Sequence, residues 1–532
     1  MTRPQRQLLV AAVLLFITFL AHSRALGFGF CLYDDTQQIV QNPTLEWSAA
    51  PAYFVKDVWR NPAPQYRNYY RPIFLLWLLL NFKLFGLHPA AWHLAALALH
   101  GVVVVMVYRL GLRLMGNELV ATSAAILFAV HPTHVESVVW LSGITEPLSA
   151  IFFLGGFLQY LRWREAHAQR PALLCALLTL LALLTKETAA ALPLLIALYE
   201  WLFPSTASGN LRARIVGTVR GAAPAIGATV VYAFMRWRAM QHLIFVNNNT
   251  LSVLMSWPLL LLDYVRMMLW PLRLALFYDV GIVNRASATQ MWLPLLFVMS
   301  CAALLWLAFA RNKLAAFLAC WWLLPIVPAL VGVFSFSASD IMHDRYTYLS
   351  SVAFVLLLAW GLSLLPRSGM QAFGLPAEPV VAILLLVCGW GVLTAQQTQV
   401  WTNGLTLYGN AVEVSPNNVR ARNLLANQLT KAGHIGQALS LYDDTLKLDP
   451  NAWETNFALG VTLASTGELA RGESLLRRAC LVNPKNPESY LALAELLRAE
   501  SRRDEAHEVL RAGLSKVDTG AEELQQKLTE IK

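Results

Sequence analysis

Four groups of residues carry types and spacings suited to chemistry. Asp34-Asp35 follow the first long apolar run by a few positions. A carboxylate held beside a bilayer can take a proton from an acceptor hydroxyl as an activated leaving group departs. The plainer reading is a loop acid capping a helix at Thr36-Gln37-Gln38. His131-Pro132-Thr133-His134-Val135-Glu136 sets two imidazoles three residues apart beside an acid. That suits proton handling or hydrogen bonding to a substrate. A metal site would want a further ligand and no proline inside the spacing, and no residue is assigned to a metal. Lys186-Glu187 sits where two apolar runs meet, and Glu146 opens a run nearby. Charges in a membrane cost about 2.5–3.5 kcal/mol each on insertion scales. The Lys186-Glu187 pair is therefore a functional candidate, or else a mutually neutralising hairpin tip. In His343-Asp344-Arg345-Tyr346-Thr347-Tyr348-Leu349 the arginine offers a planar fork that matches phosphate oxygens. The tyrosines there also suit an interfacial anchor.

These groups need elements to position them. The chain has 532 residues, 57% apolar and only 14% charged. Soluble domains run at about 25% charged, so one water-soluble body is excluded. The charge is also unevenly placed. Residues 402–532 hold 15 Lys+Arg and 17 Asp+Glu, while residues 1–401 hold 26 and 15. The first part reads as a membrane block and the second as an ordinary soluble domain. The basic excess lies beside apolar runs, where it sets orientation, so it does not point to nucleic acid. The six cysteines show no CxxC or other metal spacing and no disulfide framework.

A bilayer span needs about 20 apolar residues, because only a helix satisfies its own peptide groups there. The first span is 8–28, preceded by Arg3 and Arg6, so the N-terminus is expected in the cytoplasm. A cleaved signal peptide ending near Ala25 is the rival reading. The stretch 29–70 does not span; it ends in the cluster Tyr66-Arg67-Asn68-Tyr69-Tyr70-Arg71-Pro72. Residues 73–87 are too short and read as an interfacial helix. Spans follow near 91–110, 118–131, 146–161, 172–185, 189–203, 215–235, 291–310, 314–334, 350–365 and 379–396. Pro258, Asp263, Arg266 and Pro271 interrupt 251–277, which is expected to be re-entrant or surface-lying. The result is eleven crossings. Placing the arginine clusters in the cytoplasm puts all four chemical groups, and everything after 397, on the other side. The domains are then 1–397 in the membrane and 402–532 outside it.

The second part repeats itself. Pro416, Pro450 and Pro484 are 34 apart, as are Gly433, Gly467 and Ser501, and Leu425, Leu459 and Leu493. This resembles the tetratricopeptide repeat, two helices per unit. Three repeats, 419–452, 453–486 and 487–520, are flanked by capping helices at 402–415 and 521–532. Such a solenoid binds a peptide or protein along a concave face. Asn423 and Asn427 lie on one face of a first helix, placed to clamp a peptide backbone or to stay solvated.

Taken in order, Tyr33-Asp34-Asp35, Arg71-Pro72, His131-Pro132…Glu136, Lys186-Glu187, Asn247-Asn248-Asn249, Asp344-Arg345-Tyr346-Thr347-Tyr348-Leu349 and the repeat tail resemble the transmembrane-and-TPR O-mannosyltransferases, of the GT-C glycosyltransferase superfamily. The resemblance implies an all-α fold: a polytopic GT-C-type domain followed by a TPR solenoid. It implies an inverting transfer of a sugar, mannose or another hexose, from a polyprenyl-phosphate donor to a protein Ser/Thr hydroxyl. The reaction would take place at the periplasmic or lumenal side of a bacterial inner membrane or an ER membrane. Asp34 and Asp35 inherit the catalytic role, one of them, Asp35 by preference, as general base toward the acceptor hydroxyl. Arg345 and Lys186 are assigned to the donor phosphate from their charge. Glu136 would orient acceptor or sugar, and Arg71, Glu187, His131 and His134 complete the substrate-binding set. No cofactor is assigned; a divalent ion is compatible with the sequence but not required by it. Partners are the lipid-linked donor, membrane lipid, and an acceptor recruited by the repeats. The motif at 344 departs from the family's Glu-Arg-Tyr-Leu-Tyr-Leu-Pro-Ser, and the tail holds three repeats where animal members carry long arrays. An oligosaccharide ligase or polymerase, or a non-catalytic membrane scaffold, are the other readings. The short late loop 335–349 counts against the ligase.

Overall fold

The structure, a computed structural model, describes residues 2–31, 33–58, 69–204, 210–240, 249–283, 287–334, 340–366, 368–372 and 374–531. Tyr66-Arg67-Asn68 and Asn247-Asn248, singled out above, lie outside these residues. The chain is all-α apart from one short antiparallel ribbon that pairs Gln371 with Pro376 and Ala372 with Leu375. It divides into two compact units. One comprises Met1–Leu276 and Val280–Asn403, the other Phe277–Asp279 and Gly404–Lys532.

In the first unit, nine helices among the described residues are long and apolar enough to cross a bilayer. They are Pro4–Gly27, Pro89–Met115, Leu141–Ala166, Leu211–Met240, Thr250–Leu269, Thr289–Arg311, Lys313–Gly332, Asp344–Ser363 and Ala377–Val400. The chain is a multi-pass membrane protein. Three of the expected spans form helices shorter than the ~20 residues of a bilayer span: Glu118–Ala129 has 12 residues, Gln169–Thr185 has 17 and Ala191–Leu202 has 12. At 1.5 Å per residue, 12 residues reach about 18 Å, well under the ~30 Å of a hydrocarbon core. Within 251–277 the interruptions expected at Pro258, Asp263 and Arg266 do not occur. Thr250–Leu269 is one continuous helix of span length with Pro258 inside it. A neighbouring helix and local backbone adjustment can absorb an interior proline in a membrane helix.

Helix ends follow local chemistry. Pro89 opens the 27-residue helix Pro89–Met115, and Gly116, at φ +64°, closes it by donating its N–H to Leu112 O. The next helix starts at once, with Asn117 capping Val120. The pair packs closely because Gly111 has no side chain: a Cβ there would lie 3.0 Å from Ala121 Cα.

The first loop is folded rather than solvated. Ile39, Leu45 and Tyr53 are buried against Phe74, Leu75, Leu78 and Leu79 of the short helix Pro72–Phe85, and against Trp92, Leu141 and Ile144. For a segment outside the bilayer, each such side chain contributes roughly 1.5–3 kcal/mol. Tyr53 OH donates to Thr44 O at 2.5 Å, and Tyr70 OH to Phe54 O at 2.9 Å. This packing ties the Asp34-Asp35 segment to the turn 141–144.

The second unit is a run of eight helices between Gly404 and Glu530, packed pairwise. Gly433 and Gly467 adopt φ +82° and +92°, and Ser501, 34 residues further on, φ +63°. The repeated position is thus a left-handed turn between paired helices. Serine pays roughly 1–2 kcal/mol for it where glycine does not. Between the helices Trp453–Thr466 and Leu469–Val482, a Cβ on Gly460 would lie 2.9 Å from Leu476 Cγ and 3.1 Å from Gly472 O, so small residues set the spacing.

Candidate active site beside the membrane helices

Five segments far apart in sequence converge on one cavity of the first unit. Its walls include Asp34, Gln38, Tyr69, Arg71, Trp140, Ser142, Gly143, Lys186, Arg345 and Tyr346, and with its mouth it encloses about 510 Å³.

Three of these residues are cations, and each is backed by a carboxylate outside the lining. Arg71 donates through Nε and Nη2 to Glu187 Oε2 at 3.1 and 2.8 Å. Lys186 pairs with Glu146, both almost fully buried. Arg345 pairs with Glu136 through its guanidinium, and its backbone N–H donates to Glu136 Oε2 at 2.9 Å. Each cation also lies over an aromatic face. Arg71 is 4.2 Å from the Tyr69 centroid and Lys186 is 5.2 Å from that of Tyr346. Arg345 is 5.1 Å from both Trp140 and Tyr346. The pairing and stacking fix each cation without removing it from the cavity wall.

Lys186 and Glu187 do not neutralise each other. Glu187 also meets Arg236 at 3.2 Å. Burial pushes its carboxyl up, but Arg71 and Arg236 outweigh that and hold it at about 2. Burial pulls the Lys186 ammonium down to about 8 against the attraction of Glu146.

The two acids of the first loop take different places. Asp34 is half-buried and lines the cavity. Asp35 is 1% exposed and does not. Its Oδ1 accepts from Ser142 N–H at 2.9 Å and Ser142 Oγ–H at 2.6 Å, and its Oδ2 from Cys31 N–H at 2.9 Å. Burial raises its carboxyl to about 6 in spite of these donors.

The histidines lie elsewhere. His134 is fully buried between Phe128 O (2.8 Å) and Ser351 Oγ (2.8 Å). His131 meets Met268 O at 3.2 Å through Nε2, its ring packs on Trp390, and its Nδ1 accepts from Thr133 Oγ at 2.9 Å. Neither lines the cavity. The expectation that they reach substrate is corrected: Pro132 starts a 3-10 turn that carries both rings into the helix packing. Among the described residues, no cluster of three His, Cys, Asp or Glu could hold a metal ion.

Segment 136–146 is the floor of the site. Glu136 holds Arg345, Trp140 stacks beneath it, Ser142 holds Asp35, and Glu146 holds Lys186. Trp140, Ser142 and Gly143 are the residues that sequence reasoning missed. No spacing or periodicity marks them.

In the second unit, Asn423 Oδ1 accepts from Thr455 Oγ1 at 2.8 Å and Asn427 Oδ1 from Tyr442 OH at 2.5 Å. Both amides tie helices together, and Asn423 is buried.

The fold and cavity thus define a multi-pass helical membrane protein with an acid and three cations around one site. No family model matches the chain. It is similar to protein O-mannosyl-transferase TMTC3 of Mus musculus, with 24% identity over 464 residues, covering 77% of this chain and 48% of that protein. It is similar to protein O-mannosyl-transferase F38B6.6 of Caenorhabditis elegans at 26% identity, covering 77% and 58%. A shorter match, 31% identical over 191 residues, is to protein O-mannosyl-transferase Tmtc1 of Drosophila melanogaster, covering 35% and 22%. The chain spans about half the length of the curated relatives it matches. Among solved structures, an Archaeoglobus fulgidus oligosaccharyltransferase aligns with 74% of this chain and 55% of its own, at 14% identity and a TM-score of 0.40.

Proposed function

We propose that the chain is an integral-membrane glycosyltransferase that moves a hexose, mannose in the first instance, from a polyprenyl-phosphate donor to a protein Ser/Thr hydroxyl. The observation that carries this is the cavity wall itself: one half-buried carboxylate, Asp34, facing the same space as Arg71, Lys186 and Arg345. The cations suit a phosphate and the acid suits a hydroxyl. Asp34 accepts the hydroxyl proton while the oxygen attacks the anomeric carbon. The bond from that carbon to the phosphate oxygen breaks, and the phosphate leaves with the electron pair. Attack from the face opposite the phosphate inverts the centre. The cations stabilise the charge that grows on the phosphate, in a site where water is scarce and such contacts are strong. Glu136, Glu146 and Glu187 keep the cations aimed. The similarity to named O-mannosyl-transferases supports the sugar and the acceptor class.

In this reading the N-terminus lies in the cytoplasm, and the cavity faces the periplasm or lumen. The 1–397 region carries the chemistry, and the 402–532 solenoid recruits the acceptor. The test is transfer by the purified full chain in nanodiscs, given polyprenyl-phosphate-mannose and a Ser/Thr-rich peptide. A single-hexose mass increment on the peptide is expected. Transfer of a preassembled glycan, or none from any polyprenyl-phosphate hexose, contradicts the proposal.

A further inference from the structure

Asp35 and Asp34 are neighbours in sequence, yet only Asp34 reaches the cavity. Asp35 has both carboxylate oxygens engaged by three donors: Cys31 N–H, Ser142 N–H and Ser142 Oγ–H. Ser142 belongs to the 3-10 turn Leu141–Ile144, which is buried throughout and follows Glu136 and Trp140 on the floor of the site. Asp35 also sits at the start of the π-type turn Thr36–Val40, where its side chain makes no cap bond. The acid therefore fastens the first loop to the floor at the point where Asp34 enters the cavity.

Resting on the reading of the cavity as a transferase site, we propose that Asp35 and Ser142 form a positioning pair. Asp35 does not touch the acceptor; by holding Ser142 and the Cys31 amide it aims Asp34 at the hydroxyl. This divides the acidic pair into one catalytic residue and one positioning residue, and makes Ser142 a determinant of the rate.

The arrangement is tightest with Asp35 ionised. All three of its partners are donors, and a carboxylate accepts them more strongly than the neutral acid does. Burial brings the Asp35 carboxyl to about 6. The ionised form, and with it the aim of Asp34, is present above that pH and lost as pH falls through it. Since the folded value lies above the ordinary one, this group makes the folded state more stable, not less, as pH falls through the same window. An acid limb near 6 is then a loss of activity without unfolding. Burial holds the Cys31 thiol far above neutrality. Trp140 and Ser142 on the opposing turn carry no charge, and Arg345 is stacked on Trp140. From the helix Pro89–Met115, His93 meets the backbone at Gly29 O, 3.4 Å away. Asp34 itself points to the cavity.

The experiment is a pH–rate profile of hexose transfer for wild type, Asp35→Asn, Ser142→Ala and Asp34→Asn, with thermal unfolding in detergent as the folding control. Asp35→Asn is expected to keep transferring, slowed by about a hundredfold through misalignment, and to lose the acid limb near 6. Ser142→Ala removes one donor to the charged form, so its acid limb is expected to move up by about one pH unit. Asp34→Asn is expected to be slower by about 10²–10⁴-fold at every pH. A folded Asp35→Asn protein with no transfer at any pH, or a Ser142→Ala profile with its limb unmoved, overturns the proposal. If Asp35→Asn does not fold, Ser142→Ala decides alone. Failure of the wild type to transfer at all would instead overturn the transferase reading.

Discussion

Glu136 and Arg345 stand 209 positions apart and form a buried, two-point contact: guanidinium to carboxylate, and Arg345 backbone N–H to Glu136 Oε2 at 2.9 Å. The second bond ties the peptide backbone, not only the side chain, to the floor of the site. It sets where the 3-10 turn Asp344–Thr347 begins and so where the arginine points.

Glu136→Gln is accordingly expected to cost more than a charge. Breaking one partner of a buried pair costs about 3–5 kcal/mol, and thermal unfolding in detergent reads that loss. Transfer falls by about 10²–10³-fold as the arginine loses its aim. The double variant Glu136→Gln/Arg345→Met recovers most of the stability, because no buried charge is left alone, but recovers none of the activity. Recovery of both together would show that the pair is structural only.

Lys186 gives a basic limb. Burial lowers its ammonium from the usual lysine range to about 8. The cation is present below that pH and lost above it, so the KM for the lipid-linked donor is expected to rise about tenfold per pH unit above 8. Unfolded lysine keeps its proton to about 10.4, so this group adds stability as pH rises between the two values, and the limb is not denaturation. Lys186→Arg is expected to flatten the limb. A donor KM unchanged between pH 7 and 9.5 would remove Lys186 from the phosphate site.

Gly143 leaves no room for a side chain. A Cβ there would sit 2.7 Å from Trp140 Cε3 and 2.9 Å from Glu136 O. One of those atoms is backbone, so Gly143→Ala must displace the floor, at about 1–3 kcal/mol. Both residues it pushes support Arg345, so transfer is expected to fall further than the unfolding temperature does. A Gly143→Ala protein with wild-type turnover would mean that the floor tolerates movement.

Some of this was legible in the residues and some was not. Lys186 stood out because charge between apolar runs is costly, Asp34 as half of an acidic pair after a span, Arg345 as a fork matching phosphate and Arg71 through the family resemblance; the cavity brings these four together. Ser142 was not readable: its partner Asp35 is 107 positions away, and one serine in an apolar stretch carries no periodic signal. The histidine motif misled because spacing along the chain does not reveal side-chain direction; His131 bonds Met268 O, and His134 bonds Phe128 O and Ser351 Oγ, in the helix packing. Thr250–Leu269 misled because Pro258, Asp263 and Arg266 look like breaks, whereas the helix runs through them. The 34-residue period was clear because it repeats a backbone requirement, the left-handed turn at Gly433, Gly467 and Ser501.

The central claim is that Asp34 works as the base opposite three cations. Its most direct test is single-turnover hexose transfer from polyprenyl-phosphate-mannose to peptide by wild type and Asp34→Asn in nanodiscs, with matched unfolding temperatures. Wild type is expected to give a single-hexose product, and Asp34→Asn a rate lower by about 10²–10⁴-fold. An Asp34→Asn protein that transfers at the wild-type rate would contradict it.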